Sequence, residues 1–184
     1  MQQVISGAFD TLSHAMETYF GKPDENNLSD DINEAVMRSV IRNIRVLLTD
    51  PENYDARSEL AWASAMAENG VLKIGKVTDF QAHQIQHQLG AYTNCNHGAG
   101  LAVIMPAWMR YCAEHGGEKR LAQMAVRVFG CQMDFDDPKR TALEGIEAFR
   151  AFLRSIGMPL TFAEIGADPA DIPELVEMNH IGDG

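Results

Sequence analysis

VISGAFDTLSHAMETYF, residues 4–20, is the stretch that decides the fold class of this chain. Its apolar residues recur at every third or fourth position, which is the spacing of one face of an α-helix. Gly21 and Pro23 follow directly, and such a pair is typical of a helix end. The apolar positions are Ile5, Ala8, Leu12, Met16 and Tyr19. The stretch therefore predicts an amphipathic helix over residues 4–20.

The same periodicity recurs along most of the rest of the chain. Asp30 or Asp31 is expected to cap the second helix, and Asp79 the fourth, with Gly90 just past the end of the fourth. Pro106 should kink or restart the fifth helix. The second predicted helix ends at residue 48, and the third and fourth cover residues 54–69 and 79–89. The fifth begins near residue 101, the next two cover residues 118–129 and 138–156, and a short last helix begins near residue 172. No strand-like alternation is convincing, so we predict one all-α, helical bundle-like domain over residues 1–184.

Composition narrows the class of protein. Hydrophobic residues make up 46 % of the chain, which is enough for a core, and the net charge of −11 disfavours nucleic acid and anionic membranes as partners. No run approaches the roughly 18 apolar residues of a membrane helix, and no signal peptide is visible. The three cysteines are widely spaced, which favours reduced thiols in a cytoplasmic protein.

Polar side chains interrupt two of the predicted helices at a spacing of four residues. Asp10 and His14 share one face of the first helix, opposite its apolar stripe, and His83 and His87 share one face of the fourth. Both pairs are expected to face a cleft or solvent. An ordinary solvated face is the simplest interpretation of any one of these residues, but their combination favours a site.

Asp10, His14 and His83 form, with His97 in the following loop, a predicted metal-ligand set. One carboxylate and three imidazoles suit iron, zinc, manganese or nickel better than calcium or magnesium. His87, one turn beyond His83, would be placed to donate or accept a proton beside the ion, or it is only a surface neighbour of the site. Cys95 is an alternative ligand that would favour zinc, but the set is complete without it.

The chain resembles the iron-containing (group III) alcohol dehydrogenases, and within them the butanol dehydrogenase-like branch. The similarity rests on GAFDTLSHAMETYF (7–20), PENYDARSELAWASAMAENG (51–70) and FQAHQIQHQLGAYTNCNHGAGLAVIMP (80–106). The resemblance implies that Asp10, His14, His83 and His97 bind Fe²⁺, Zn²⁺ or another divalent ion. It also implies that His87 lies near the nicotinamide and the substrate, in an NAD(P)H-dependent enzyme that interconverts a small aldehyde and a primary alcohol.

The resemblance also carries expectations about the rest of the protein. It implies a homodimer in which this helical domain packs against an N-terminal dinucleotide-binding domain. That domain is expected to be absent from this chain, since no G-x-G-x-x-G turn occurs, and the chain is expected to stop short of the family's last helix. We therefore expect this chain alone to be inactive. Two other hypotheses stay open: a metal-dependent hydrolase, and a non-catalytic helical module retained for dimerisation.

Overall fold

The computed structural model describes residues 1–78 and 80–178. Within them the chain folds into eight α-helices joined by short loops and three short 3₁₀ turns, and the one pairing of extended residues is an isolated bridge between Lys22 and Val77. The helices are α1 (Gln2–Tyr19), α2 (Leu28–Thr49), α3 (Tyr54–Glu68), α4 (Gln81–Thr93), α5 (His97–Glu114), α6 (Glu118–Arg127), α7 (Pro138–Ser155) and α8 (Ile172–Met178). The predicted all-α class is confirmed.

Helix α1 lies at the centre of the domain. It packs against α2, α3 and α5, while α6 and α7 form a closely packed pair at one side. The predicted apolar stripe of α1 is fully buried, and so are Ser13 and Glu17 on its opposite face. Gly145 permits the close approach of α7 to α6, because a Cβ atom there would overlap the side chain of Ala125.

Several helix boundaries differ from the predicted ones. Neither Asp30 nor Asp31 caps α2: Asn27 is the N-cap, and Asp30 completes a capping box as the third helical residue. Helix α4 continues through Gly90 to Thr93, and its predicted N-cap, Asp79, lies outside the described residues. The helix ends at Asn94, which adopts the left-handed conformation that Gly90 was expected to supply.

Helix α5 begins at His97, four residues before the predicted start near Leu101, because the side chain of Asn96 accepts a hydrogen bond from the backbone of Ala99. Pro106 lies inside this helix and does not restart it. No described helix is long and apolar enough to cross a membrane.

Candidate metal centre

Helix α1 supplies two of the predicted ligands. Asp10 and His14 lie on consecutive turns, and both side chains are half-buried. The expectation that this face of α1 looks into a cleft or solvent holds only in part, because the same face also carries the buried residues Ser13 and Glu17. The helix therefore presents Asp10 and His14 at the edge of the core, where solvent reaches them from one side.

Helix α5 brings in His97 through a close contact with α1. The hydroxyl of Ser6 donates a hydrogen bond to the side chain of Asn96, the N-cap of α5. Gly98 makes this contact possible, because a Cβ atom there would lie 2.7 Å from the carbonyl oxygen of Ser6. His97, the first residue of α5, is thereby held beside the middle of α1.

Each of the three predicted histidine ligands directs a ring nitrogen at one oxygen of Asp10. The Oδ1 atom of Asp10 lies 3.2 Å from Nε2 of His97, 3.5 Å from Nε2 of His83 and 3.8 Å from Nε2 of His14. Ligand atoms of Asp10, His14 and His83 all lie within 4.8 Å of one another. We call Asp10, His14, His83 and His97 the candidate metal centre. Three imidazole nitrogens around one carboxylate oxygen form a donor set that fits a divalent transition metal.

The electrostatics of the candidate metal centre follow from this convergence. Burial acts to raise the pKa of Asp10, but hydrogen bonds from His83 and His97 outweigh burial and hold that pKa well below its usual range. Burial acts to lower the pKa of His83, but hydrogen bonds to Asp10 and Glu17 raise it to about 9. Burial and the charge of His83 lower the pKa of His14. A proton on His83 therefore competes with any cation for the centre.

His87 lies at the exposed edge of the candidate metal centre. Its ring stacks on that of His97 with 5.7 Å between centroids, and it lies 6.4 Å from the ring of His83. Burial, followed by the positive charges of His97 and His83, lowers the pKa of His87. His87 is thus adjacent to the four converging groups and is the most solvent-exposed of the clustered histidines.

Sequence reasoning missed two carboxylates at this site. Glu17, on the turn after His14, contacts Nδ1 of His83 through its carboxylate. Glu68, the last residue of α3, places Oε1 3.1 Å from Nε2 of His14. The seven-residue interval from Asp10 to Glu17 was a usable signal, because it puts both on one helix face. No comparable signal pointed to Glu68, which reaches the site through the packing of α3 on α1.

Phe80 closes one side of the candidate metal centre. Its ring lies 5.4 Å from the ring of His14 and 5.3 Å from that of His83, and its backbone adopts the left-handed conformation. Such a conformation is uncommon for a bulky residue and concentrates at functional sites. His115 lies elsewhere, stacked on Tyr111 at the end of α5, and His180 lies outside the described residues.

Comparison with known proteins decides the family. The family model described as "Fe-containing alcohol dehydrogenase family, C-terminal" matches residues 4–180. The chain belongs to this family. Its relatives include the NADH-dependent butanol dehydrogenase A of Clostridium acetobutylicum, 32 % identical over 164 residues that cover 89 % of this chain and 42 % of the relative. The NADPH-dependent aldehyde reductase YqhD of Escherichia coli is 32 % identical over 178 residues, which cover 96 % of this chain and 45 % of that protein.

Solved structures of this family show the same fold. The NADH-dependent butanol dehydrogenase A of Thermotoga maritima superposes with a TM-score of 0.90 and 31 % identity, over 98 % of this chain and 44 % of that one. The family and its butanol dehydrogenase-like members agree with the resemblance drawn from the sequence. The chain spans slightly less than half the length of the relatives named above.

Proposed function

We propose that this chain is the metal-binding helical domain of an NAD(P)H-dependent alcohol dehydrogenase that interconverts a small aldehyde and its primary alcohol. The observation that supports the proposal most is the convergence of His14, His83 and His97 on one oxygen of Asp10. The names of the relatives, which are NADH- and NADPH-dependent butanol dehydrogenases and an aldehyde reductase, support the reaction class. Family membership favours this function over a hydrolase.

The candidate metal centre would hold Fe²⁺, Zn²⁺ or a similar ion through Asp10, His14, His83 and His97. When bound, the ion would polarise the substrate oxygen and the reduced nicotinamide would supply the hydride. Asp10 would offset part of the charge of the ion, because the three imidazoles are neutral when they bind it. The ring of Phe80 covers His14 and His83 on one side and limits the access of water to them.

His87 is the proposed proton-transfer residue. In the reductive direction it donates a proton to the substrate oxygen while hydride adds to the carbonyl carbon, so that an aldehyde, NAD(P)H and a proton give the alcohol and NAD(P)⁺. Its lowered pKa and its exposure at the edge of the site suit a group that exchanges protons with solvent. The same position would bring it near the nicotinamide.

We propose further that this helical domain acts together with a dinucleotide-binding domain and assembles as a homodimer. The relatives are more than twice as long as the matched segment, which leaves room for such a domain in them. Substrate and nicotinamide would then meet at the exposed side of the candidate metal centre, where His87 and His97 reach the surface.

Metal analysis of the purified chain tests the proposal. Wild-type chain is expected to retain about one divalent ion after metal loading and gel filtration, whereas Asp10→Ala and His97→Ala lose it, because each removes a charged or imidazole donor. His87→Ala should keep the ion, since His87 is not a proposed ligand. His115→Ala is the matched control, because it removes a histidine outside the site. Equal metal content in the wild type, Asp10→Ala and His97→Ala would contradict the proposed ligand set.

A further inference from the structure

Glu17 occupies an unusual place behind the candidate metal centre. Its carboxylate is 2 % exposed, although it belongs to none of the converging donor groups. Oε1 accepts a hydrogen bond of 2.8 Å from the backbone N–H of Ala82, and Oε2 accepts one of 3.2 Å from the backbone N–H of His83. Oε2 also contacts Nδ1 of the His83 ring. A buried carboxylate with three donors around it is held in one orientation.

The first two contacts explain how α4 begins. The residue before α4, Phe80, offers no side-chain hydrogen bond to the first turn. The N–H groups of the first turn of a helix have no partner within the helix, and a negative charge there is favourable. Glu17 therefore serves as the missing cap from a different helix, and it ties the start of α4 to α1.

The third contact determines which nitrogen of His83 can face a cation. A carboxylate only accepts hydrogen bonds, so Nδ1 of His83 must carry a proton and donate it to Glu17. In the neutral ring the lone pair then lies on Nε2, which is the nitrogen directed at Asp10. A hydrogen bond from the outer nitrogen to a carboxylate also increases the basicity of a metal-binding imidazole.

We propose that Glu17 is a positioning residue that holds the His83 ring, through Nδ1 and the first turn of α4, with Nε2 free to bind a divalent cation. This inference rests on the proposed function, since it assumes that a cation occupies the candidate metal centre. It goes beyond that function by assigning cation affinity to a side chain that does not itself touch the ion.

Glu17→Gln separates the acceptor capacity of this side chain from its size. A glutamine has one acceptor oxygen and one NH₂ group in place of two acceptor oxygens. If its oxygen faces His83, its NH₂ group opposes the N–H of Ala82; if its oxygen faces Ala82, the NH₂ group opposes the N–H of His83 and favours the tautomer with the proton on Nε2. Either arrangement weakens the hold on His83.

The matched control is Glu34→Gln. Glu34 is a second buried glutamate of the domain, 4 % exposed, but its carboxylate accepts hydrogen bonds from Tyr19, Gln123 and Arg127 rather than from α4. Both substitutions replace one buried carboxylate by an amide of the same size. Any general cost of that replacement should therefore occur in both variants, while the effect on cation binding should be specific to Glu17→Gln.

The test is a competitive Zn²⁺ titration of the full chain against a chromophoric chelator, with folding checked by circular dichroism. Glu17→Gln should bind Zn²⁺ about 10- to 100-fold more weakly than the wild type, which is the usual loss when the hydrogen-bond partner of a metal-binding histidine is removed. Glu34→Gln should remain within about threefold. A Glu17→Gln affinity within about threefold of the wild type would overturn the inference and leave the proposed function standing. A wild-type chain that binds neither Zn²⁺ nor Fe²⁺ would overturn both.

A measurement on the wild type covers the case in which Glu17→Gln does not fold. In Zn²⁺-loaded, ¹⁵N-labelled chain, the Nδ1 proton of His83 should give a strongly downfield, slowly exchanging resonance, because it is buried and donated to a carboxylate. The resonance is assigned by its loss in His83→Gln. A His83 ring without a protonated Nδ1 in the Zn²⁺-loaded wild type would overturn the inference.

Discussion

Two clusters of buried charge in this domain differ in what surrounds them. Asp30 accepts a hydrogen bond from Lys76 at 2.8 Å and faces Arg120 at 3.1 Å, and the side chains of Asp30 and Lys76 are completely inaccessible to solvent. In the candidate metal centre, by contrast, the carboxylate of Asp10 faces three imidazoles that can each be neutral, and Asp10 and His97 are about a third exposed. The first cluster is closed to solvent and joins one carboxylate to two cations, whereas the second is open to solvent and can exchange a proton for a metal ion.

The charged groups around Asp30 have a structural role, whereas the candidate metal centre is built to bind an ion. Lys76 also donates to the carbonyl oxygens of Tyr19 and Pro23, and Arg120 donates to those of Pro23 and Asp24, so the Asp30 cluster joins the end of α1 to the start of α2 and to α6. Buried ions with every partner inside the protein hold a fold together but leave nothing to bind. The candidate metal centre has the opposite property, since three ring nitrogens face one oxygen of Asp10 at a place that solvent reaches.

Removing the carboxylate of the Asp30 cluster should have the largest effect on the stability of the domain. Asp30→Ala leaves Lys76 and Arg120 buried without their carboxylate, and we expect it to lower the free energy of unfolding by about 3–5 kcal/mol. Asp24→Ala, in the exposed ion pair with Lys22, is the matched control and should cost less than about 1 kcal/mol. Urea unfolding of both variants measures the difference. Equal costs would show that the buried cluster has no special structural role.

Binding of a divalent cation to the candidate metal centre should stabilise the domain. Zn²⁺ at a free concentration 100-fold above its dissociation constant is expected to raise the free energy of unfolding by about 2.7 kcal/mol, because only the folded chain assembles the four donors. Asp10→Ala should abolish the gain, and Asp24→Ala should retain it. Thermal unfolding with Zn²⁺ and with EDTA measures both. A gain of the same size in Asp10→Ala would mean that the ion binds elsewhere.

The stability of the metal-free domain should also depend on pH, because His83 in the candidate metal centre takes up a proton. The pKa of His83 is raised to about 9 in the folded metal-free chain, above its ordinary value of about 6.5. Its protonation therefore stabilises the fold fully below about pH 6.5, and this contribution is lost as the pH rises to about 9, at a cost of about 2–3 kcal/mol. Urea unfolding between these pH values measures the loss.

His83→Gln is the control for this prediction, since it removes the titrating group and should flatten that part of the pH profile. Saturating Zn²⁺ should have the same effect, because a metal-bound imidazole no longer takes up the proton. Identical pH profiles for the metal-free wild type and His83→Gln would assign the alkaline loss of stability to other groups.

Much of the fold could be predicted from the sequence because the helices are amphipathic in a regular way. The apolar stripe of α1, from Ile5 to Tyr19, is buried as predicted. The errors arose where tertiary contacts decide. Gly90 is of the residue type that most often follows a helix end, yet α4 continues through it to Thr93 and ends at Asn94 in the left-handed conformation. Asn27, not Asp30, caps α2, because the backbone N–H of each residue donates a hydrogen bond to the side chain of the other.

The candidate metal centre shows the same division. The spacing of Asp10 and His14, and of His83 and His87, could be read as shared helix faces because such pairs depend on local geometry alone. The contacts of Glu17 with α4 and of Glu68 with His14 depend on where separate helices pack, and no local pattern encodes that. The sequence therefore indicated Asp10 and the histidines around it, but not Glu17 and Glu68, which contact two of those histidines from behind.

X-ray absorption spectroscopy of the Zn²⁺-loaded chain tests whether Asp10, His14, His83 and His97 bind one ion, because it reports the atoms bound to that ion. We expect a first shell of nitrogen and oxygen at about 2.0–2.1 Å, with the outer-shell scattering of three imidazole rings. His97→Ala should reduce that scattering to two rings. A sulfur shell at about 2.3 Å, which would place Cys95 on the ion, or a shell of oxygen atoms without imidazole scattering, would contradict it.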